Sequence, residues 1–380
     1  MKGSECVSYY TILQNGLVID PEKGGIERRD IGIIDGQLAD VKDVLAQGIN
    51  IHYINVDGAY IAPGFIDLHV HVFKDATTLG IEADLVGIEQ GVTTIVDAGS
   101  AGYDNYQLLK DTVIQQSQTE VLAFLNIARQ GLGAGLSELA DPTQLMTLEE
   151  AKEIFAHEPQ IVGLKARMSG SVVKEQGIAP LKHTRLVADA LHKPIMVHIG
   201  NPPPYLNEIF PLLTKGDIIT HAFHGKKHGI LNEQGYLIEE AIKALQRGVL
   251  FDVGHGTSSF SYETLRKFKT SYTQPFSIST DIYINNYDNP VGSLMLTMSK
   301  LLALGFTLEE VVRAVTIQAA EAIGLTEQGT LKIGTRADIT IFTFHDKPTN
   351  LVDSEGVVLT TNRVLQPQMT IRNGKVVFRQ

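Results

Sequence analysis

The sequence has little cysteine: among 380 residues there is one, Cys6. A disulfide needs two and a cysteine-rich zinc site needs more, so neither can be built within the chain. Long apolar runs are missing as well. No stretch reaches the roughly 18 residues that a membrane-spanning helix requires. The start, MKGSECVSYYTILQNG, is polar and lacks an apolar core of the secretory type, which points to the cytoplasm. Positive charge is scarce too, with 32 Lys and Arg against 43 Asp and Glu and a net charge of -11. Nucleic acid needs a basic footprint and is not expected as a partner. A small anionic substrate remains open, because one well-placed arginine reverses a local field.

What is present suffices for a large core. Hydrophobic residues make up 43% and charged residues 20%, the balance of a globular chain and not of a disordered one. The length exceeds what one barrel usually needs and leaves room for an accessory domain.

The two ends share a style. Tyr9 to Val56 reads as short strands, TILQNGLVID and DIGIIDGQLADV, with hairpin signals at Asn15-Gly16 and Asp35-Gly36. The C-terminal segment repeats it in ADITIFTF and MTIRNGKVVF, turning at Asn373-Gly374. The ends are expected to pair into one small β-sandwich domain, residues 1-61 with 326-380. Between them, over 62-325, eight apolar runs alternate with amphipathic helical stretches such as EEAKEIFAHE, LKHTRLVADALH and IEEAIKALQRG. The runs are GFIDLHVHV, TTIVDAGS, VLAFLNIA, IVGLKARM, PIMVHIG, DIITHAF, LFDVGHG and FSISTDIY. Unbroken apolar character suits parallel strands buried on both faces. Eight of them with helical crossovers predict an α/β fold, a (β/α)8 TIM-type barrel carrying the small β-sandwich.

In such a barrel, polar residues at the carboxyl ends of strands carry the chemistry. His69 and His71 end the first run, Lys165 the fourth, His198 the fifth, His221 the sixth and Asp281 the eighth. Six side chains from five strands can then converge on one mouth. Residues two apart on a strand point to the same side, so His69 and His71 can grip one ion. Imidazoles with hard oxygen ligands suit zinc. Plainer readings stand beside these: a snorkelling Lys165 with an exposed head, hydrogen-bonded core histidines, and a helix N-cap for Asp281. Arg167, two residues past Lys165, can face the same mouth and take a substrate carboxylate through its planar fork, or form a surface salt bridge. His224 and His255, near the ends of the sixth and seventh runs, can bind substrate or orient ligands, or be satisfied by backbone. Tyr283 is a substrate contact or a packing residue. Asn201-Pro202-Pro203-Pro204 makes a stiff loop beside His198, and ARQGLGAGLSELADPTQL after the third run is a surface loop or a substrate cover.

The segment Ala62-Pro63-Gly64-Phe65-Ile66-Asp67-Leu68-His69-Val70-His71 resembles the P-G-x-I-D-x-H-x-H signature of the amidohydrolase superfamily. Gly334-Thr335-Arg336-Ala337-Asp338 resembles its closing G-x-x-A-D element, and the resemblance extends over essentially the whole chain. It implies two zinc ions, or other divalent metals. His69, His71 and Asp281 would serve the first and His198 and His221 the second, with Lys165, carbamylated by carbon dioxide, bridging both. A metal-bridging hydroxide would attack the acyl carbon, and Asp281 would pass the proton to the leaving group. GLKARMS, THAFHGK and DVGHG resemble the deacetylase-type branch, whose members are often labelled dihydroorotase or adenine deaminase. The resemblance therefore implies removal of an acyl group, acetyl among the candidates, from a small carboxylate-bearing amide or ester. Cyclic-amide hydrolysis of the dihydroorotase or hydantoinase kind is the second reading. Adenine deamination is the third, and Lys165 counts against it. A catalytically dead scaffold barrel is the reading outside catalysis, against which the complete ligand set argues. Apolar helix faces leave room for a homo-oligomer.

Overall fold

A computed structural model describes residues 10-74, 76-272 and 274-380. Cys6 and the polar start, with the expectations drawn from them, lie outside the described residues. The chain opens with β1 (Tyr10–Ile19), β2 (Ile26–Ile34), β3 (Gln37–Ala39), β4 (Ile51–Asn55) and β5 (Tyr60–Pro63). Asp35-Gly36 turns the chain between β2 and β3 with φ of 49° and 83°, both positive as a two-residue hairpin of this type requires. Asn15-Gly16 does not turn it. Strand β1 continues through this pair, and its ladder with β2 shifts register between Leu13 and Gly16. The pair forms a bulge with Asn15 at φ 63°. Glycine is needed there because a Cβ would collide with the Ile61 side chain. The residues that permit a hairpin turn also permit a bulge, and burial against Ile61 selected the bulge.

All eight apolar runs become strands: β6 (Phe65–Val70), β7 (Val92–Ala98), β8 (Glu120–Asn126), β9 (Ile161–Met168), β10 (Ile195–Ile199), β11 (Ile218–Thr220), β12 (Leu250–Asp252) and β13 (Phe276–Ser277). Each pairs in parallel with the next in sequence order. The circle closes where Val70 bridges Ile282 and the Asp281 N–H donates to the His69 carbonyl at 2.7 Å. The three stretches expected as helices are Leu148–His157, Ala179–Leu191 and Glu239–Arg247. The first opens on a reciprocal Thr147–Glu150 cap and the third ends at Gly248 with φ 88°, so start and stop follow local chemistry.

Inside the barrel, Val96, Leu122, Phe124, Met196 and Ile218 fill the floor together with Ala319 and Ile323 of the segment beneath it. Burying Phe124 alone contributes about 2–3 kcal/mol. Toward the carboxyl ends the inward positions become Asn126, Lys165, Thr220 and Asp252, all fully buried. The barrel is thus an apolar cup with a polar rim.

After the barrel come β14 (Ile339–Val352), β15 (Val358–Arg372) and β16 (Lys375–Arg379). Asn373-Gly374 turns β15 into β16 as expected, with φ of 49° and 72°. Strand β14 pairs antiparallel with β5, Ile339 opposite Pro63. The two chain ends therefore share one eight-stranded sheet with its own core, which includes Leu13, Ile33, Ile61, Ile339 and Ile371. The tip of the β14–β15 hairpin docks on the barrel: Asp353 accepts the Tyr262 N–H at 2.9 Å and Ser354 N–H donates to Phe260 O at 3.0 Å. Among the described residues no helix is long and apolar enough to cross a membrane.

Candidate metal centre

The carboxyl rim brings the six expected side chains together. His69 Nε2 and His71 Nε2 lie 3.3 and 3.1 Å from Asp281 Oδ1, and the ligand atoms of these three residues all fall within 4.8 Å of one another. Lys165 Nζ is 3.2 Å from His69 Nε2, and His221 Nε2 is 3.9 Å from Asp281 Oδ2. His198 joins through His221, their ring centroids 4.3 Å apart. Lys165 does not snorkel; it is 0% exposed. Asp281 caps no helix: it sits at φ 48°, and the next long helix, Leu294–Ala303, is capped by Ser293.

The imidazoles are oriented from behind. His221 Nδ1–H donates to the Gly254 carbonyl at 2.6 Å, so its Nε2 carries a lone pair. That Nε2 is buried and has no hydrogen-bond partner. Thr220 Oγ1 donates to Asp252 Oδ2 at 2.8 Å and so accepts from His69 Nδ1 at 2.9 Å, which again leaves Nε2 facing Lys165 and Asp281. His71 Nδ1 meets Ser100 Oγ at 2.9 Å. Buried lone pairs aimed at a carboxylate and a lysine nitrogen fit a divalent cation, since nitrogen and oxygen donors fixed by outer partners are the usual donor set.

The electrostatics agree with neutral imidazoles. Burial depresses the pKa of His69 and His198 well below the ordinary value and lowers that of His221 to about 3. Burial brings Lys165 down to about 7. For Asp281, burial pulls upward, but the His71 hydrogen bond and attraction to His221, His71 and Lys165 whenever they carry a proton outweigh it, and its pKa is lowered. Asp67, by contrast, is raised to about 7 by burial. It accepts from Thr280 Oγ1 at 2.6 Å and from the His69 N–H at 3.2 Å, tying the first strand to the segment that carries Asp281.

The outlying candidates fare differently. Arg167 faces the rim, but its Nη1 donates to both oxygens of Glu138 at 3.2 and 3.1 Å, and the Glu138 side chain is fully buried. Its partner is the glycine-rich excursion after β8, which returns to the mouth and is not merely a surface loop. His255 is no substrate donor or acceptor. Its Nδ1 meets the Gly256 carbonyl at 2.8 Å and its Nε2 accepts from Lys300 Nζ at 2.8 Å, so both ring nitrogens are spent. His224 is buried, with its Nε2 unpartnered. Tyr283 stands beside His71, ring centroids 6.4 Å apart, with its hydroxyl 2.5 Å from Thr257 Oγ1. The Asn201 carbonyl takes the Gly170 N–H at 2.8 Å, so the proline loop links the ends of β9 and β10.

Sequence reasoning missed Thr220, Asp252, Glu138 and Lys300. Asp252 had a usable signal, being an acid at the end of an apolar run. It accepts from Ser277 at 2.7 Å, Ser279 at 2.6 Å and Thr220. Thr220 had none, because its hydroxyl matters only through His69, 151 positions earlier.

A parallel barrel with a cluster of histidines, a carboxylate and a buried lysine at its rim defines a metallohydrolase-type architecture. The amidohydrolase family profile matches residues 60-377, and the chain belongs to that family. It is a hydrolase acting on amide bonds. A deacetylase of Enterococcus faecalis is 39% identical over 322 residues, covering 84% of this chain and 87% of that protein. A crystal structure described as an adenine deaminase is 35% identical with a TM-score of 0.90, covering 98% of this chain and 100% of that one. Another, described as a dihydroorotase, is 33% identical with a TM-score of 0.87, covering 98% of each.

Proposed function

We propose that the protein is a binuclear zinc hydrolase that removes an acyl group, acetyl first among the candidates, from a small carboxylate-bearing amide or ester. The observation that carries this reading is the convergence of His69, His71, Lys165 and Asp281 with the unpartnered Nε2 of His221. His69, His71 and Asp281 would hold one ion, and His198 and His221 the other. Lys165, as its carbamate, would span both. Its nitrogen attacks carbon dioxide and loses a proton, which a lysine brought to about 7 by burial does readily at neutral pH. Divalent ions bound there supply a water nucleophile at neutral pH and polarise the scissile carbonyl.

The chain's own residues do the rest. Asp281, kept ionised beside His71, takes a proton from the attacking water and hands it to the leaving nitrogen or oxygen. Thr220, Ser100 and the Gly254 carbonyl hold the imidazoles in place. The apolar floor keeps bulk water from reaching the site from below. In this reading residues 62-325 form the catalytic barrel, and 1-61 with 326-380 form the flanking domain.

A deacetylase among the relatives supports acyl removal. The solved structures described as an adenine deaminase and a dihydroorotase define the competing outcomes. Turnover by zinc-loaded, bicarbonate-treated enzyme on N-acetyl and O-acetyl carboxylic acids, dihydroorotate, hydantoins and adenine tests the proposal. Acyl hydrolysis above all others is expected. Dominant ring opening or ammonia release overturns the acyl assignment, and a chain that binds no zinc and turns over nothing is a scaffold.

A further inference from the structure

Strand β7 contributes none of the six side chains of the rim. The turn that ends it, Asp97-Ala98-Gly99-Ser100, nevertheless touches two of them. Ser100 Oγ lies 2.9 Å from His71 Nδ1. Gly99, at φ 88°, lies so close to the Lys165 stem that a Cβ there would come within 2.7 and 2.8 Å of Lys165 Cγ and Cβ. Asn126, beside Lys165 in the β8–β9 ladder, donates to the Gly99 carbonyl at 3.0 Å.

One side chain ties this turn to the end of β6. Asp97 is fully buried. Its Oδ1 accepts the Ser100 N–H at 2.8 Å and its Oδ2 accepts the Val72 N–H at 3.0 Å. The first bond closes the turn, and the second holds the residue that follows His71. The His71 N–H itself donates to the Ile282 carbonyl at 3.0 Å. Both groups that meet the Asp97 side chain are donors, and a carboxylate offers an acceptor to each. An amide has one oxygen and one NH2, so either orientation sets a donor against a donor and leaves a buried N–H unpaired.

Asp217 does the same work at the opposite end of the barrel. It is 1% exposed, precedes β11, and accepts the Ile195 N–H at 2.8 Å on Oδ1 and the Thr214 N–H at 2.7 Å on Oδ2. The partners of its carboxylate are Ile195, Thr214 and Arg185, none of them at the rim.

We infer that Asp97 is a positioning residue of the metal centre. It fixes the backbone next to His71 and the Ser100 hydroxyl behind the His71 ring as one unit, and so aims His71 Nε2 at Asp281. The inference rests on the metal-centre part of the proposed function and not on its acyl specificity.

Zinc retention of the full-length protein in a chelator competition, with the melting point read after metal removal, tests it. Asp97→Asn should weaken retention ~10- to 100-fold, the scale of losing an outer partner of a ligand. Ser100→Ala, which leaves the backbone bonds of the turn in place, should weaken it by ~10-fold, and it decides the matter where Asp97→Asn does not fold. Asp217→Asn should lower the melting point of the metal-free protein yet hold zinc as the wild type does. Wild-type retention in Asp97→Asn or in Ser100→Ala, or an equal loss in Asp217→Asn, overturns the proposal. Wild-type turnover of the N-acetyl and O-acetyl carboxylic acids is followed in parallel. Zinc loss in Asp97→Asn and Ser100→Ala beside a wild type without acyl hydrolysis supports the positioning role and fails the acyl-hydrolase reading. Acyl hydrolysis with retention untouched by Asp97→Asn fails the positioning role and leaves that reading standing. A wild type that holds no zinc overturns both.

Discussion

Lys165 at the barrel mouth and Lys300 in the wall behind it are both 0% exposed, and burial brings each to a pKa of about 7. Their surroundings differ. Lys300, on the helix Leu294–Ala303, donates to the Pro290 carbonyl at 2.5 Å and to His255 Nε2 at 2.8 Å. The buried His255 nitrogen would otherwise be unpaired, so this lysine stitches a wall together. It also fixes the loop whose Gly254 carbonyl orients His221. Lys165 finds His69 Nε2 at 3.2 Å and the Met196 sulfur at 3.3 Å, a nitrogen lone pair and a weak acceptor. Its neighbours point at a shared centre and leave it under-satisfied. Burial and a depressed pKa do not by themselves mark a functional lysine; the acceptors around it separate the two roles.

The comparison breaks most sharply at Lys165→Ala. Loss of about 10³-fold or more in turnover is expected, the scale of removing a preorganised electrostatic group, together with at least one zinc per chain by metal analysis. Two ions and full activity in that variant would erase the distinction. Asp281→Asn comes next. Asparagine tolerates the left-handed backbone at φ 48°, so the fold should persist while turnover falls about 10²- to 10⁴-fold. Near-normal turnover rejects the proton-transfer role. Thr220→Val removes the acceptor behind His69 and should weaken zinc retention about 10- to 100-fold in a chelator competition. Unchanged retention would mean that His69 needs no such support.

Lys300→Met should have the smallest effect on chemistry, less than about 10-fold, with a melting point lower by several degrees as the buried His255 nitrogen and the Pro290 carbonyl lose their donor. Its pH signature is more specific. The unfolded chain keeps this proton up to about 10.5 and the folded one only up to about 7. Between those values the unfolded state holds more protons, so stability rises with pH across the window. Denaturant titrations from pH 7 to 10 should show the wild type gaining on Lys300→Met, by at most about 1.4 kcal/mol per unit. A constant difference would mean that Lys300 stays protonated in its wall.

Much of the fold was legible because its signals are local. A parallel strand buried on both faces must be apolar along its length, so IVGLKARM and PIMVHIG declared themselves, and the polar residues closing them, Lys165 and His198, stood out. Asp35-Gly36 and Asn373-Gly374 turned as their chemistry requires. Asn15-Gly16 misled because its positive φ serves a bulge as well as a turn, and contact with Ile61 chose between them. Arg167 ends up bonded to Glu138, 29 residues away on an irregular loop, a partner that no local pattern could reveal.

By itself, then, the sequence determined the α/β class, the order of the eight strands, the pairing of the two ends and the set of side chains at the rim. Periodicity, turn chemistry and position along a strand are properties of neighbouring residues. Only the tertiary structure decided which nitrogen of each imidazole is free. That choice follows from the partner the other nitrogen finds: Thr220 for His69, the Gly254 carbonyl for His221, and for His255 a lysine on a later helix that leaves it nothing to offer. Hydrogen-bond direction is set by groups that folding brings from far along the chain, and no local pattern encodes it.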